Sequence, residues 1–253
     1  MNKRNFMFLA LLGIMAFHGH GEVRAQDASR WLNVDVNQQN CAPRRAAFFA
    51  FENQDKAQAF EKKNSANYLS MEGTWKFNFV KDYNKRPVNF FAANFDDSQW
   101  KDFPVPGLFE LNGYGDATYK NTGYAWATQF DPNPPYISEL NNYTGSYRRT
   151  FDLPKDWKGK DVYFHVGSAT SNLTLWVNGK YVGYSEDSKV AAEFNISKYL
   201  KPGKNLIAMQ VMRWCDGSYF EDQDFWRFTG IAREVYLYAR PKLHAADIRL
   251  DAG

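Results

Sequence analysis

The segment Glu221-Asp222-Gln223-Asp224 places three carboxyl groups within four residues, and aromatic residues surround it. The neighbouring rings belong to Trp214, Tyr219, Phe220, Phe225 and Trp226. Carboxylates accept hydrogen bonds from hydroxyl groups, while aromatic faces cover apolar C–H surfaces. This mixture is typical of a surface that binds carbohydrate. The alternative is structural, with the rings in the core and the acids paired with Arg213 or Arg227.

Cleavage of a sugar demands more than binding. A glycosidase needs two opposed carboxyl groups about 5–9 Å apart, one as proton donor and one as nucleophile or base. Neighbouring positions on one loop rarely face each other across a sugar ring. The acidic segment therefore indicates sugar binding and not hydrolysis.

A second segment, Gly113–Tyr124, also mixes polar and aromatic residues. The amide of Asn121 both donates and accepts hydrogen bonds, which suits recognition of a hydroxyl group. An ordinary glycine-rich surface loop is the other interpretation, because functional and plain surface loops share this composition.

Other chemistries find little support in the motifs. The sequence has no G-x-S-x-G nucleophile turn and no G-x-x-x-x-G-K-[ST] phosphate loop. Cys41 and Cys215 lie far apart and outside any metal-binding spacing, so a zinc site is not expected. They are interpreted as two unpaired thiols, with a disulfide as the alternative in an exported chain.

Charge and the N-terminus narrow the cellular context. The 253 residues carry a formal net charge of only +3 and no cluster of Lys and Arg, which argues against a nucleic-acid partner. Lys3 and Arg4 precede an apolar run from Phe6 to Phe17, followed by a short polar stretch that ends with Val23-Arg24-Ala25, a small-x-small cleavage site. This pattern predicts a cleaved signal peptide over residues 1–25, with an uncleaved anchor as the alternative. The expected product is exported, most simply to the periplasm, and has no membrane attachment after cleavage.

The elements that must position these residues are strands. Leu173–Val177 and Lys180–Tyr184 flank Asn178-Gly179, a pair that supplies the positive-φ residues of a type I′ hairpin. Residues Gln54–Lys63 form the best candidate for a short helix. Strands separated by turn signals, with little helix, predict an all-β fold, a jelly-roll or galactose-binding-domain-like β-sandwich with an extended N-terminal arm. Further predicted strands are Gly73–Val80, Tyr143–Leu153, Asp161–Val166, Asn205–Trp214 and Glu234–Ala239.

The predicted organisation has four parts. A signal peptide over residues 1–25 precedes an arm over 26–70, and the sandwich occupies 71–240. Residues 241–253 begin a following β domain of immunoglobulin-like type, with a strand over Leu243–Leu250.

Several motifs occur in an order that resembles the beginning of family 2 β-galactosidases. The most specific are Val177–Ser185 and the block Arg213–Arg227, followed by Gly230-Ile-Ala-Arg233. Shorter matches are Val105-Pro106, Asn112-Gly-Tyr114, Tyr119-Lys-Asn121, Asn133-Pro-Pro135 and Thr144-Gly-Ser-Tyr-Arg148. The resemblance extends over most of the chain after the signal peptide.

The resemblance implies the N-terminal sugar-binding jelly roll of a retaining β-galactosidase, whose central barrel carries the chemistry. It also implies roles for two residues: Asn121 contacts the galactosyl unit, and Asp224 lies at the pocket floor and coordinates a sodium ion. The catalytic glutamates and the magnesium ligands of the family lie in the barrel, and no Asn-Glu dipeptide of the acid/base type occurs in this sequence. The chain alone is therefore expected to be inactive.

The expected partners are a β-galactoside and the remaining domains of the full-length enzyme. Two other interpretations stay open. One is a free-standing carbohydrate-binding module without catalysis. The other is the same domain from a β-glucuronidase or β-mannosidase, since the resemblance implies a domain architecture that those enzymes share.

Overall fold

The computed structural model describes residues 30–253. The signal peptide expected over residues 1–25 lies outside this range. None of the helices described for residues 30–253 is long and apolar enough to cross a bilayer.

Within the described residues the chain forms fifteen strands. They are β1 (Gln38–Gln39), β2 (Tyr68–Ser70), β3 (Gly73–Val80), β4 (Lys101–Val105), β5 (Gly107–Leu108), β6 (Thr118–Tyr124), β7 (Thr144–Asp152), β8 (Asp161–Val166), β9 (Asn172–Val177), β10 (Lys180–Glu186), β11 (Ala192–Asn195), β12 (Lys204–Met212), β13 (Gln223–Arg227), β14 (Gly230–Ile231) and β15 (Val235–Arg240). The helix predicted from Gln54 is α1 (Gln54–Ala59), capped by the Asn53 side chain. Short 3-10 turns occupy Lys62–Asn64, Tyr83–Lys85, Glu110–Asn112, Ala125–Thr128, Lys155–Trp157, Ser197–Tyr199 and Asp216–Tyr219.

The strands assemble into two sheets and two small ribbons, all antiparallel. The larger sheet has the order β1-β10-β9-β12-β7-β3-β4, and the smaller has the order β11-β8-β15-β2. The ribbons are β13-β6 and β14-β5. The prediction of an all-β sandwich is confirmed.

The hairpin of β9 and β10 follows directly from its turn. Asn178 and Gly179 have φ values of 50° and 81°, which are the two left-handed residues of a type I′ turn. Asn178 also donates its side-chain amide to Tyr199 and accepts a hydrogen bond from the backbone N–H of Leu206 at 3.0 Å. The turn therefore fixes the hairpin to β12 as well as joining its strands.

The core lies between the two sheets. Alternate residues of the larger sheet, such as Phe77, Leu175 and Met209, meet alternate residues of the smaller sheet, such as Phe164 and Leu237. All of these side chains are buried. Burial of large apolar side chains stabilises each by about 1.5–3 kcal/mol, so this layer is the main source of stability.

The segment interpreted as an arm contributes an edge strand to each sheet. β1 pairs with β10, and β2 pairs with β15. Between them the chain is held by Arg45, whose guanidinium lies 2.9 Å from the carboxylate of Glu193 on β11. The segment thus closes both sheets at one edge.

Residues 241–253 form no strand, so the strand predicted over Leu243–Leu250 is not present. A strand requires a neighbour to pair its backbone N–H and C=O groups, and none is offered here. Leu243 is 93% exposed and Leu250 89% exposed. The alternation of apolar residues in this segment was therefore not sufficient to produce a strand.

Candidate carbohydrate-binding site

Asn121 and Asp224 come together on the ribbon formed by β6 and β13, although they are distant in sequence. The register of the ribbon shifts between Gln223 and Phe225, so Asp224 lies opposite residues 121–123. Both side chains are exposed, and neither forms a hydrogen bond or ion pair within residues 30–253. An irregularity of this kind re-aims side chains and is common beside binding sites. The ribbon therefore carries an exposed amide and an exposed carboxylate on facing segments of its two strands.

The backbone at this irregularity adopts left-handed conformations. Asp222 and Asp224 have φ values of 59° and 51°, and Gly123 on the facing strand has a φ of 80°. Aspartate tolerates this region better than most residues, because its short polar side chain can hydrogen-bond locally. Such conformations persist only where the surroundings impose them.

Arg227 supplies one of those constraints from beneath the ribbon. Its side chain is 0% exposed. The guanidinium donates to Asp222 at 2.6 Å, to Glu221 at 3.2 Å and to the Ser218 hydroxyl at 3.0 Å, and also to the carbonyl of Arg213. Arg227 therefore fixes the turn that leads into β13, directly before Asp224.

Arg213 holds the other strand. It donates to the carbonyl of Asp116 at 2.8 Å and to the Thr118 hydroxyl at 2.9 Å, at the start of β6. Its guanidinium lies 3.6 Å from the carboxylate of Glu110. Burial lowers the pKa of Arg213 and raises the pKa of Glu110, while the attraction between them opposes both shifts. The two arginines thus anchor the two strands of the ribbon separately.

Some residues of the acidic segment fit the structural interpretation of its sequence, and others fit the binding interpretation. Glu221 and Asp222 are bound by Arg227, as the structural interpretation expects. Asp224 faces solvent, as the binding interpretation expects. The rings divide in the same way, since Trp214 and Tyr219 are buried while Phe220, Phe225 and Trp226 are exposed.

The segment Gly113–Tyr124 is only partly the surface loop that one interpretation proposed, because Thr118–Tyr124 form strand β6. Its partner β13 lies far along the chain, so no local signal announces the pairing. Gly115 allows the close approach that precedes the strand, since a Cβ there would lie 2.5 Å from the Tyr143 ring. The Tyr143 hydroxyl in turn donates to Asp116 at 2.6 Å.

A buried acidic cluster escaped notice in the sequence. Glu186, Cys215 and Asp216 place possible ligand atoms within 4.8 Å of one another. Burial raises the pKa of Glu186 to about 9 and also raises that of Asp216. The raised pKa favours the protonated form of Glu186, and in that form its carboxyl group can donate to Asp216. The Tyr184 hydroxyl donates to the same Glu186 carboxyl group.

Neither cysteine is paired. Cys41 and Cys215 are free thiols, in agreement with the favoured interpretation of the sequence. Burial raises the pKa of the Cys41 thiol to about 11, so it is not a reactive thiolate at neutral pH.

A cavity of about 360 Å³ lies elsewhere, against the outer face of the smaller sheet. Arg45, His165, Glu193 and Tyr236 contribute to its lining. His165 lies 3.0 Å from Glu193 and stacks on Tyr236. None of the residues that line the cavity belongs to the ribbon.

Comparison with known families decides the relationship. The family described as "Glycosyl hydrolases family 2, sugar binding domain" matches residues 68–241. The chain belongs to this family. The match includes both strands of the ribbon, the two arginines beneath it and every strand of the two sheets except β1.

Relatives of known activity cover most of the chain. The β-galactosidase of Priestia megaterium is 39% identical over 215 residues, which is 85% of this chain and 21% of the relative. The β-galactosidase of Lactobacillus delbrueckii subsp. bulgaricus is 36% identical over 224 residues, covering 88% of this chain and 22% of the relative. The chain therefore spans about a fifth of the length of these relatives.

Solved structures agree on the fold and the family. A β-glucuronidase from Bacteroides uniformis matches 69% of this chain and 18% of its own, with 25% identity and a TM-score of 0.51. A second structure, B. uniformis β-glucuronidase 2 bound covalently to cyclophellitol-6-carboxylate aziridine, has 27% identity over the same shares and a TM-score of 0.50.

Proposed function

We propose that this chain is the sugar-binding portion of an exported, retaining β-galactosidase that hydrolyses terminal non-reducing β-D-galactose residues in β-galactosides. The observation that carries the proposal is the meeting of Asn121 and Asp224 on one exposed ribbon. β-Galactosidases that are 36–39% identical over most of the chain support the choice of sugar.

The proposed role of the site is to position galactose. The Asn121 amide can donate to one hydroxyl and accept from another, and the Asp224 carboxylate accepts from hydroxyl donors. Hydrogen bonds to a charged acceptor are worth about 1.5–3 kcal/mol each. Because Arg213 and Arg227 fix the strands from beneath, the two groups need little reorganisation when the sugar arrives.

In this proposal the hydrolytic glutamates and the magnesium ligands come from other parts of the full-length enzyme. Within the acidic segment Asp224 is exposed, while Arg227 binds Glu221 and Asp222. The segment therefore lacks the opposed pair of free carboxyl groups that glycoside hydrolysis requires.

Asp224 also fits the proposed sodium ion in part. Its exposed carboxylate is the hard oxygen ligand that such cations take, by analogy with calcium and magnesium. Asp224 is not part of the cluster of possible metal ligands found in residues 30–253, which is Glu186, Cys215 and Asp216. The sodium site would be completed by groups outside that cluster.

Two assays on the purified chain test the proposal. Calorimetric titration with galactose and lactose should show weak binding that Asp224→Ala abolishes, and tight binding would instead favour a free-standing module. A chromogenic β-galactoside should not be hydrolysed above the level of the same variant. Turnover by the wild-type chain alone would contradict the assignment of catalysis to other domains.

The β-glucuronidase structures favour one alternative, the corresponding domain of a β-glucuronidase. A titration with methyl β-D-glucuronide beside methyl β-D-galactoside separates the two. Tighter binding of the glucuronide would show that the chain is the corresponding domain of a β-glucuronidase. Tighter binding of the galactoside would exclude that alternative.

A further inference from the structure

Three aromatic rings form a continuous strip along the ribbon. The Tyr119 and Trp226 centroids are 5.1 Å apart across the two strands. The Trp226 and Phe228 rings are 5.5 Å apart and nearly parallel, with an interplanar angle of 11°. The Tyr119 ring is tilted by 46° against Trp226, so the three rings form one grouped apolar surface rather than isolated rings.

The strip adjoins the polar pair. Tyr119 lies two residues before Asn121 on β6, and Trp226 lies two residues after Asp224 on β13. Tyr119 is 50% exposed and Trp226 is 45% exposed. A grouped set of exposed rings beside hydrogen-bonding groups marks an interaction surface.

We propose that Trp226, supported by Tyr119, is the apolar wall of the sugar site and covers the C–H face of a pyranose unit of the bound β-galactoside. The inference rests on the proposed function, because the polar groups that would hold the same sugar are Asn121 and Asp224. A pyranose suits this surface, since one molecule can use both the hydroxyl partners and the contact with the exposed Trp226 ring that the ribbon places near one another.

The two other exposed rings of the segment have different surroundings. Phe225 lies under the Lys189 ammonium, which is 5.4 Å from its centroid. Phe220 is 82% exposed and precedes β13 on the connecting turn, so it is not part of the strip. Phe220 is therefore a matched control: an exposed ring in the same segment whose removal should leave the wall intact.

The test uses saturation-transfer NMR and affinity titration of the 253-residue chain with methyl β-D-galactopyranoside. We expect transfer to the ring C–H protons of the sugar, lost in Trp226→Ala and reduced in Tyr119→Ala. The affinity of Trp226→Ala should fall about tenfold, the effect of losing about 1.4 kcal/mol of aromatic contact. Phe220→Ala should bind as the wild type does.

The possible results distinguish failure of the proposed aromatic wall from failure of the proposed function. If Asp224→Asn weakens binding while Trp226→Ala does not, the proposed function stands and the wall is wrong. If the wild-type chain gives no transfer at all, both are wrong. Near-UV circular dichroism of each variant excludes loss of folding as the cause of a weakened signal. If Trp226→Ala and Phe220→Ala weaken binding equally, general exposure of aromatic rings explains the effect and the wall is overturned.

Discussion

Two antiparallel strand pairs, the β9–β10 hairpin and the β6–β13 ribbon, are stabilised in different ways. The hairpin joins neighbouring segments through a two-residue turn, and all six residues of β9 are buried. The ribbon joins distant segments and leaves Asn121 and Asp224 exposed. Its support is a pair of buried guanidinium groups and not an apolar face. A strand pair built in this way can leave its outer surface for a ligand.

The contrast predicts different responses to mutation. Leu175 of the hairpin contributes to global stability and lies in a different core cluster from Trp214 and Tyr219, which flank the acidic segment. The arginines beneath the ribbon contribute both to stability and to the candidate site, because they neutralise buried acids and set the position of the strands.

The largest effect is expected for Arg227→Met. The substitution keeps much of the side-chain volume but removes the buried cation that binds Glu221 and Asp222, and it leaves Asp222 beside the half-exposed Lys189 ammonium at 3.2 Å. Breaking a buried ion pair in this way costs about 3–5 kcal/mol. Urea denaturation should show that loss in the free energy of unfolding, and the folded fraction should bind galactoside more weakly.

Arg233→Met is the matched control. Arg233 is exposed and donates to the Lys189 carbonyl at 2.7 Å. An exposed substitution of this kind changes stability by about 0.5 kcal/mol or less. Equal losses in the two variants would show that Arg227 has no special role beneath the ribbon.

Leu175→Ala is the corresponding change in the hairpin. Leu175 is buried in the core between the sheets, and truncation of such a residue costs about 2–5 kcal/mol. Under conditions where the variant is folded, its affinity for galactoside should equal that of the wild type. Weaker binding by the folded variant would mean that the ribbon depends on the hairpin core.

The same contrast explains how much the sequence could predict. The hairpin, β3, β7, β8, β12 and β15 were all predicted, because alternation and turn residues are local signals. β6 and β13 were not predicted. Their pairing depends on two buried side chains, Arg213 after the end of β12 and Arg227 on β13, and no local pattern indicates those contacts. The motif resemblance selected Asn121 and Asp224, but no residue pattern showed that the two would meet.

The acidic segment Glu221–Asp224 shows where prediction from sequence composition stops. Its composition fitted both a binding surface and a set of structural ion pairs. In the structure Glu221 and Asp222 form ion pairs with Arg227, whereas Asp224 is exposed to solvent. Composition could not make that division, because it depends on which carboxylates the buried guanidinium of Arg227 can reach.

Glu186→Gln is expected to stabilise the protein. Glu186 ends β10, and burial raises its pKa to about 9 beside Asp216, Cys215 and Tyr184. The unfolded chain releases this proton near the ordinary pKa of about 4.3, so the folded state binds more protons between that pH and about 9. Wild-type stability therefore falls as pH rises through this window.

A glutamine removes the titration while keeping an acceptor for Tyr184 and a donor for Asp216. At neutral pH the free energy of unfolding should rise by roughly 1–3 kcal/mol. The slope of stability between pH 5 and 9 should also become shallower, which denaturation at several pH values measures. A variant that is less stable at pH 7 would show that a charged Glu186, and not a shared proton, holds the cluster.

The smallest change in stability is expected at the site itself. Asp224→Asn keeps the left-handed backbone preference and replaces an exposed side chain that makes no hydrogen bond within the described residues. The free energy of unfolding should change by about 0.5 kcal/mol or less. Galactoside affinity should nevertheless fall about tenfold, because a hydrogen bond to a charged acceptor is replaced by a neutral one. A loss of affinity without a loss of stability is expected if the buried arginines hold the ribbon in place. A comparable loss of both would show that Asp224 itself stabilises the ribbon.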